Sequence, residues 1–435
     1  MSIVINLIFV AYGLYTINHR ECMFKFMLFH FVLRMINHTF PVYSLEIVTL
    51  AGVSIYINDF YLLILLALII LQNGFGKIII NRGEGLFYAF VLVALFSIVF
   101  GVLQYGLISD WFNETRKFLH LILPIIYYAS SPVELNNENK RILQLLMRSI
   151  LAYCIVCWIS ALIFGVYLTS NGTLRCLGSD YAFFVSVYTI YLVYNDLVIS
   201  ENKKISFETV LFILAIILLQ HNTVYASIGA SIAVILLFKF GNVFLEKPRW
   251  IVQLIAICVI LVVFLNTSIG SRILTPILST FDKFNELSES MSGEETGTIG
   301  TRITLWQSLI ATLSSPLEWL FGKNIGTGYH VTWRGNEWTA SAHSGYIETL
   351  MRTGLVGCIC LIGSIIRNVV QHIRERDVLV ASILVSVLVY WYSYSYTSEI
   401  GFLIGMSFAI LNGYVWSEEP GLINNAEHGS QFNER

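Results

Sequence analysis

F-Y-A-F-V-L-V-A-L-F-S-I-V-F-G-V-L-Q-Y-G-L, residues 87–107, contains no charged side chain and no proline. An α-helix rises about 1.5 Å per residue and a bilayer core is about 30 Å thick, so about 20 apolar residues cross it. This stretch is therefore read as a membrane-spanning helix. Working outward, comparable runs lie near 58–73, 115–131, 143–167, 181–199, 206–221 and 224–240, with others near 2–17, 250–267, 345–367, 379–396 and 399–416. They predict an all-α polytopic membrane protein with about 12 transmembrane helices. Residues 22–56 hold two shorter apolar pieces, Met23 to Ile36 and Val42 to Ile57, interrupted by Lys25, Arg34 and Pro41. Read as two further spans they raise the count to about 14; read as a re-entrant and interfacial pair they leave it unchanged.

Composition agrees. Of 435 residues, 56% are hydrophobic and 12% charged, about half the charged fraction of a soluble domain. The net charge of −2 argues against a nucleic-acid partner, which needs a clustered basic surplus. Cys154, Cys157, Cys258, Cys358 and Cys360 lie in apolar runs, and only Cys176 is expected to face an oxidising compartment. The C-x-x-C of Cys154 and Cys157 reads as two small packing residues in a helix. The first apolar run lacks a small-residue cleavage site and reads as a retained signal anchor.

The basic residues give the orientation. Lys77 and Arg82, Lys140 and Arg141, Lys203 and Lys204, Lys239, Lys247 and Arg249, and Arg367, Arg374 and Arg376 fall on one side when the spans are threaded. By the positive-inside rule that side is cytoplasmic, and both termini lie there. The same threading places Leu168 to Asp180 and Thr267 to Ala342 outside. The expected organisation is N-terminal transmembrane helices over 1–266, a large outer loop with short helices over 267–343, C-terminal transmembrane helices over 344–417, and a polar tail over 418–435. A loop of that length is expected to carry function.

Within the loop, residues 281–297 are acidic and rich in Ser and Gly and read as a solvated segment. Over 300–313, Ile303, Trp306, Leu309, Ile310 and Leu313 recur at helical spacing, predicting a helix with one apolar face. Thr301 is the expected N-cap. Arg302 then falls in the first turn, where a cation opposes the helix dipole unless an anion offsets it. F-G-K-N-I-G-T-G-Y-H, residues 321–330, supplies three glycines able to bring backbone close to a ligand or simply to turn the chain. T-A-S-A-H-S-G-Y-I-E-T-L-M-R-T-G-L-V-G, residues 339–357, places His343 at the outer mouth of the next span. A histidine there can act as a general base, although a lone histidine is also a common structural residue. His330 competes with it for that role. No H-x-x-x-H, H-E-x-x-H or D-x-D pattern lies outside, so neither metal nor cofactor is expected.

Arg116, Arg175, Arg272, Arg302, Arg334 and Arg352 all thread to the outer side, against the trend of the remaining basic residues. Each alone fits a contact to a lipid headgroup. As a set they favour a phosphate-bearing substrate, because guanidinium binds phosphate in bidentate fashion and stays charged when partly buried.

The order of these features, R-C-L-G-S-D at 175–180, R-I-T-L-W at 302–306, the glycine-rich G-K-N-I-G-T-G and then A-H-S-G-Y-I-E-T-L-M-R-T-G-L-V-G, resembles the O-antigen polymerase and O-antigen ligase superfamily of bacterial envelopes. The resemblance implies an inverting glycosyltransferase at the periplasmic face of the inner membrane. Its donor would be an undecaprenyl-diphosphate-linked oligosaccharide, with membrane lipid around it and a chain-length-regulating co-polymerase as partner. It further implies that Arg302 and Arg175 hold the diphosphate as it leaves and that His343 orients or deprotonates the acceptor hydroxyl. Arg272, Arg116, Tyr346 and His330 complete the expected binding set. The chain departs from the pattern at Ser344, where many members have asparagine, and at Arg352, near which many carry an acidic residue. It departs again at H-N-T-V-Y-A-S (221–227), where a Ser-Arg pair is common; His221 or Tyr225 is the expected substitute. Polymerase is preferred to ligase because the loose motifs suit a divergent group. A lipid-linked oligosaccharide flippase stands third, since no clear internal repeat is seen, charges within the spans are few and the outer loop is long.

Overall fold

The structure is a computed structural model that describes residues 2–39, 45–50, 53–73, 85–131, 136–165, 174–200, 204–240, 297–333, 336–339 and 342–411. The expected span near 250–267, Arg272, the acidic stretch up to residue 296, Arg334 and the C-terminal tail lie outside the described residues.

The described chain is mostly helical. Its helices are α1 (Ser2–Asn18), α2 (Met23–Thr39), α3 (Ile57–Asn73), α4 (Gly85–Tyr105), α5 (Ser109–Ser130), α6 (Asn137–Phe164), α7 (Ser179–Tyr194), α8 (Phe207–Leu219) and α9 (Asn222–Phe240). After them come α10 (Gly297–Ala311), α11 (Pro316–Phe321), α12 (Gly345–Arg374), α13 (Val378–Tyr390) and α14 (Ser398–Leu411). Among the described residues, five helical stretches are long and apolar enough to cross a membrane: Gly85–Tyr105, Asn137–Phe164, Ser179–Ile199, Asn222–Lys239 and Gly345–Arg374. Five shorter apolar helices accompany them.

Where the sequence left 22–56 open, the two pieces behave differently. Met23 to Ile36 is helical, as α2, whereas the second piece forms strands β1 (Glu46–Leu50) and β2 (Val53–Tyr56), paired antiparallel with Leu50 opposite Val53. Ile47, Val48, Thr49, Val53 and Ile55 are β-branched, which favours the pleated form in a segment too short to span as a helix.

The chain divides into two compact units, one of Met1–Asn81, Ile122–Ile150 and Gly401–Arg435, the other of Arg82–Leu121 and Leu151–Ile400. In the first, α1 packs on α2 and α3. Phe9 stacks on Phe26 with centroids 4.7 Å apart, and His30 stacks on Tyr61 at 4.3 Å while its Nε2 lies 2.8 Å from Asn58 Oδ1.

In the second unit, α12 packs along α4 and α13, α13 also against α9 and α7, and α7 against α8. Local signals set the ends. Ser206 caps α8 through the Thr209 N–H, and Gln220 closes that helix in a left-handed conformation, so α9 can start at Asn222. Ser315 and Glu318 form a reciprocal capping box on α11, with Pro316 as its first residue. Strands β3 (His330–Trp333) and β4 (Asn336–Thr339) make a second antiparallel hairpin.

α11 meets α12 through two glycines. Gly322 has φ +78° and Gly354, a non-helical step inside α12, has φ +62°. A Cβ at Gly322 would run into the backbone of Arg352 and Thr353, and one at Gly354 into the backbone of Leu320 and Phe321. Glycine thus provides both the left-handed conformation and the room for backbone contact.

Candidate active site

The site lies in the second unit, around the N-terminus of α12. Residues 342–345 are fixed from two directions. From α10, Trp306 Nε1 donates to the Ala342 carbonyl at 2.7 Å. From the turn after α13, the carbonyls of Trp391 and Tyr394 both accept from the Gly345 N–H at 2.9 Å, and Ser344 Oγ donates to Trp391 O at 3.2 Å. Ser344 also serves as the N-cap of α12. Its residue type, a departure from the family pattern, is thus one that ends a loop and starts a helix.

Held between these contacts, His343 takes φ +46°, a left-handed conformation uncommon for a side chain of its size, and its ring is partly exposed. Such conformations cost energy and persist where the surroundings impose them. Partial desolvation, followed by the charges of Arg302 and Lys117, pushes the imidazole below the usual histidine range, while Glu348 acts in the opposite sense. The ring is therefore neutral at neutral pH, the form that accepts a proton.

Arg302 projects from α10 toward the same place. Its Nη1 donates to the Ser393 carbonyl at 3.1 Å, and the guanidinium lies 5.6 Å from the Tyr394 ring centroid. Tyr394 stacks on Tyr390 at 4.6 Å, and the Tyr390 hydroxyl donates to Asp180 Oδ1 at 2.8 Å. Among the described residues no carboxylate forms an ion pair with Arg302. The helix that carries it starts at Gly297. Thr301 is therefore inside the helix and does not cap it, and Arg302 is past the first turn. The dipole argument for an anion at this arginine falls away, and its partly buried position beside His343 takes over.

The structure treats the other expected residues differently. Arg175 Nε donates to the Gln220 carbonyl at 3.0 Å, and Gln220 Oε1 accepts from the Leu174 N–H at 3.0 Å, so this arginine fastens the outer segment to the end of α8. No hydrogen bond or ion pair joins it to Arg302 or His343 among the described residues. Arg116 Nη1 donates to Asn113 Oδ1 at 3.3 Å on the exposed side of α5. The Tyr346 hydroxyl donates to the Leu388 carbonyl at 2.6 Å. His330 Nε2 lies 3.7 Å from Asp110 Oδ2. His221 Nε2 is 3.0 Å from the Leu177 carbonyl, and the Tyr225 hydroxyl donates to the Ile217 carbonyl. Both of these bond to backbone, where the pattern common in the family has an arginine.

Arg352 does not face outward. Its side chain is fully buried, paired with Glu114, bonded to Thr327 Oγ1 and to the Gly328 carbonyl at 2.6 Å, and lies 4.4 Å over the ring of Tyr329. Glu114 also accepts from the Gly326 N–H at 2.7 Å. The pair thus clamps the glycine-rich turn between α5 and α12. Beneath it, Tyr329, Met351, Leu309, Leu313 and Ala342 form one apolar cluster.

Sequence reasoning passed over Lys117. Its Nζ bonds Glu348 Oε1 at 2.9 Å and lies 5.4 Å from the Tyr329 centroid. The signal is present as Arg-Lys at 116–117, about two turns into α5, of which the sequence reading takes only the arginine. Among the described residues no three His, Cys, Asp or Glu side chains gather closely enough to hold a metal ion.

Residues 208–362 match the family described as O-antigen ligase. The match covers about a third of the chain and supports the resemblance to the O-antigen polymerase and ligase superfamily. No curated protein matches the chain. The match runs from α8 into α12 and so includes Arg302, His343 and Glu348, while Lys117 and Arg175 lie before it. The apolar helices make this chain a multi-pass membrane protein, and over residues 208–362 it is similar to a family described as O-antigen ligase.

Proposed function

We propose that the protein is an O-antigen polymerase. It joins undecaprenyl-diphosphate-linked repeat units at the periplasmic face of the inner membrane, with a chain-length-regulating co-polymerase as partner. The observation that carries this reading is the pairing of a neutral, partly exposed His343 with Arg302, a guanidinium without a paired carboxylate among the described residues. An acceptor hydroxyl attacks the anomeric carbon of the donor and passes its proton to His343. The bond to the diphosphate breaks with its electron pair leaving on the phosphate oxygen, and configuration at the anomeric carbon inverts. The leaving group is already good, so the protein's task is alignment and cationic stabilisation of the departing charge, which Arg302 provides and to which Arg175 is proposed to contribute.

Polymerase is favoured over ligase by the chain's loose motifs, which suit a divergent group. Ligase is the second reading, favoured by the description of the matching family. Lipopolysaccharide gels of a deletion strain, complemented with wild type or His343→Ala, test both. Core carrying a single repeat unit supports a polymerase. Bare core with polymer retained on the lipid carrier supports a ligase. An unchanged ladder overturns the O-antigen substrate altogether.

A further inference from the structure

Lys117 and Glu348 meet the site from α5 and α12, and the pair is lopsided. The Glu348 side chain is fully buried, whereas that of Lys117 is 33% exposed. Glu348 Oε1 accepts from Lys117 Nζ at 2.9 Å and from Ser395 Oγ at 3.0 Å, while Oε2 has no hydrogen-bond partner among the described residues. A buried ion pair adds little stability over a well-packed apolar pair, because both charges must be desolvated. Stability alone therefore gives no reason for this one. An ammonium has three N–H donors; Glu348 engages one, and the side chain that carries the others is one-third exposed. The head also sits in the electrostatic neighbourhood of His343, together with Arg302. Arg302 and Lys117 both disfavour the charged form of His343 and Glu348 favours it, a local positive balance that an anion would offset.

We infer that Lys117 is a further phosphate-contacting cation of the site, bridging the buried Glu348 carboxylate and the diphosphate of a lipid-linked donor. This rests on the glycosyltransferase reading above. Glu348 is a positioning residue in this arrangement: it holds the lysine stem in place, and its own charge weakens anion binding enough to ease departure of the product.

The test is calorimetric titration of the full-length chain in detergent with inorganic pyrophosphate at low ionic strength. Lys117→Met should weaken binding about tenfold or more, the worth of a charge-assisted hydrogen bond, and Lys117→Arg should restore most of it. Lys117→Met leaves a buried carboxylate uncompensated and can fail to fold. The double variant Lys117→Met/Glu348→Gln removes both charges and should fold, and it should still bind weakly. Glu348→Gln alone keeps an acceptor for the lysine but removes the opposing charge, so it should bind pyrophosphate severalfold more tightly; a purely structural tether would leave the affinity unmoved. Affinity in the double variant equal to that of Glu348→Gln alone overturns the proposal for Lys117. If Arg302→Met loses binding in the same series, the phosphate site survives without Lys117. No pyrophosphate binding by the wild type overturns the phosphate site itself.

Discussion

Arg302 and Arg352 look alike in the sequence: both precede or enter a late span, and both break the positive-inside pattern. The structure uses them in opposite ways. Arg352 has no exposed surface, a carboxylate partner in Glu114, and two further acceptors in the glycine-rich turn. Arg302 is partly exposed, rests on Tyr394, and gives one N–H to a backbone carbonyl. An outward arginine is a candidate for a substrate only if its charge is still uncommitted after folding. Glu114 commits the charge of Arg352, whereas Arg302, with no paired carboxylate among the described residues, is the arginine we propose for the substrate.

The widest separation between the two regions should come from His343→Ala. Loss of a general base costs about 10²–10⁴-fold in rate, and a partly exposed ring contributes little to stability. Chain extension on lipid-linked repeat units in proteoliposomes should fall by that factor, with the thermal unfolding midpoint unchanged. A variant that extends chains at the wild-type rate would remove His343 from the chemistry.

Arg352→Met should do the reverse. Removing one member of a buried pair leaves the other charge uncompensated, at a cost of about 3–5 kcal/mol in unfolding free energy. The double variant Glu114→Gln/Arg352→Met should recover most of that, as seen in denaturant unfolding of the solubilised chain. Equal stability of the single and double variants would mean that the clamp does not hold the glycine-rich turn.

Arg302→Lys comes next. Lysine keeps the charge but cannot present two parallel N–H groups to a phosphate. Loss of one charge-assisted hydrogen bond corresponds to about a tenfold fall in rate. An unchanged rate would show that charge alone suffices there, and would narrow the contrast with Arg352 to burial.

Much of this was legible in the sequence because a bilayer imposes a strong length and polarity rule. The run around residue 95 is α4, the pieces near 206–221 and 224–240 are α8 and α9, and of the apolar face read over 300–313, Leu309 and, just past α10, Leu313 join the cluster around Tyr329. The segment Val42 to Ile57 was not legible as a hairpin, since hydropathy alone does not separate a short β pair from an interfacial helix. The site was half legible. His343 and Arg302 lie in motifs close to each other in the chain, so the pattern was visible. Lys117 is 231 residues from Glu348, and Glu114 is 238 from Arg352. Nothing in one sequence shows which distant carboxylate neutralises which cation, and that is the information needed to tell a clamp from a binding site.

The smallest effect is also the most specific. His343 is displaced below the ordinary histidine range by partial desolvation and by the cations Arg302 and Lys117, with Glu348 opposing. A base is lost when it is protonated, so a lowered value keeps the enzyme active to a lower pH than an ordinary histidine would. The acid limb of kcat/KM should therefore lie on the acidic side of the usual histidine range. Replacing Arg302 or Lys117 with methionine removes a repulsion on the imidazolium and moves the limb upward, so activity relative to each variant's own maximum is lost sooner as pH falls. Replacing Glu348 with glutamine removes an attraction and moves the limb further down. A clamp residue has no such signature: Glu114→Gln/Arg352→Met, which removes both charges of its pair, should leave the limb in place. A limb that ignores Arg302, Lys117 and Glu348 alike would mean that the titrating base is another group, and the line drawn here between the clamp and the open cluster would have to be redrawn around it.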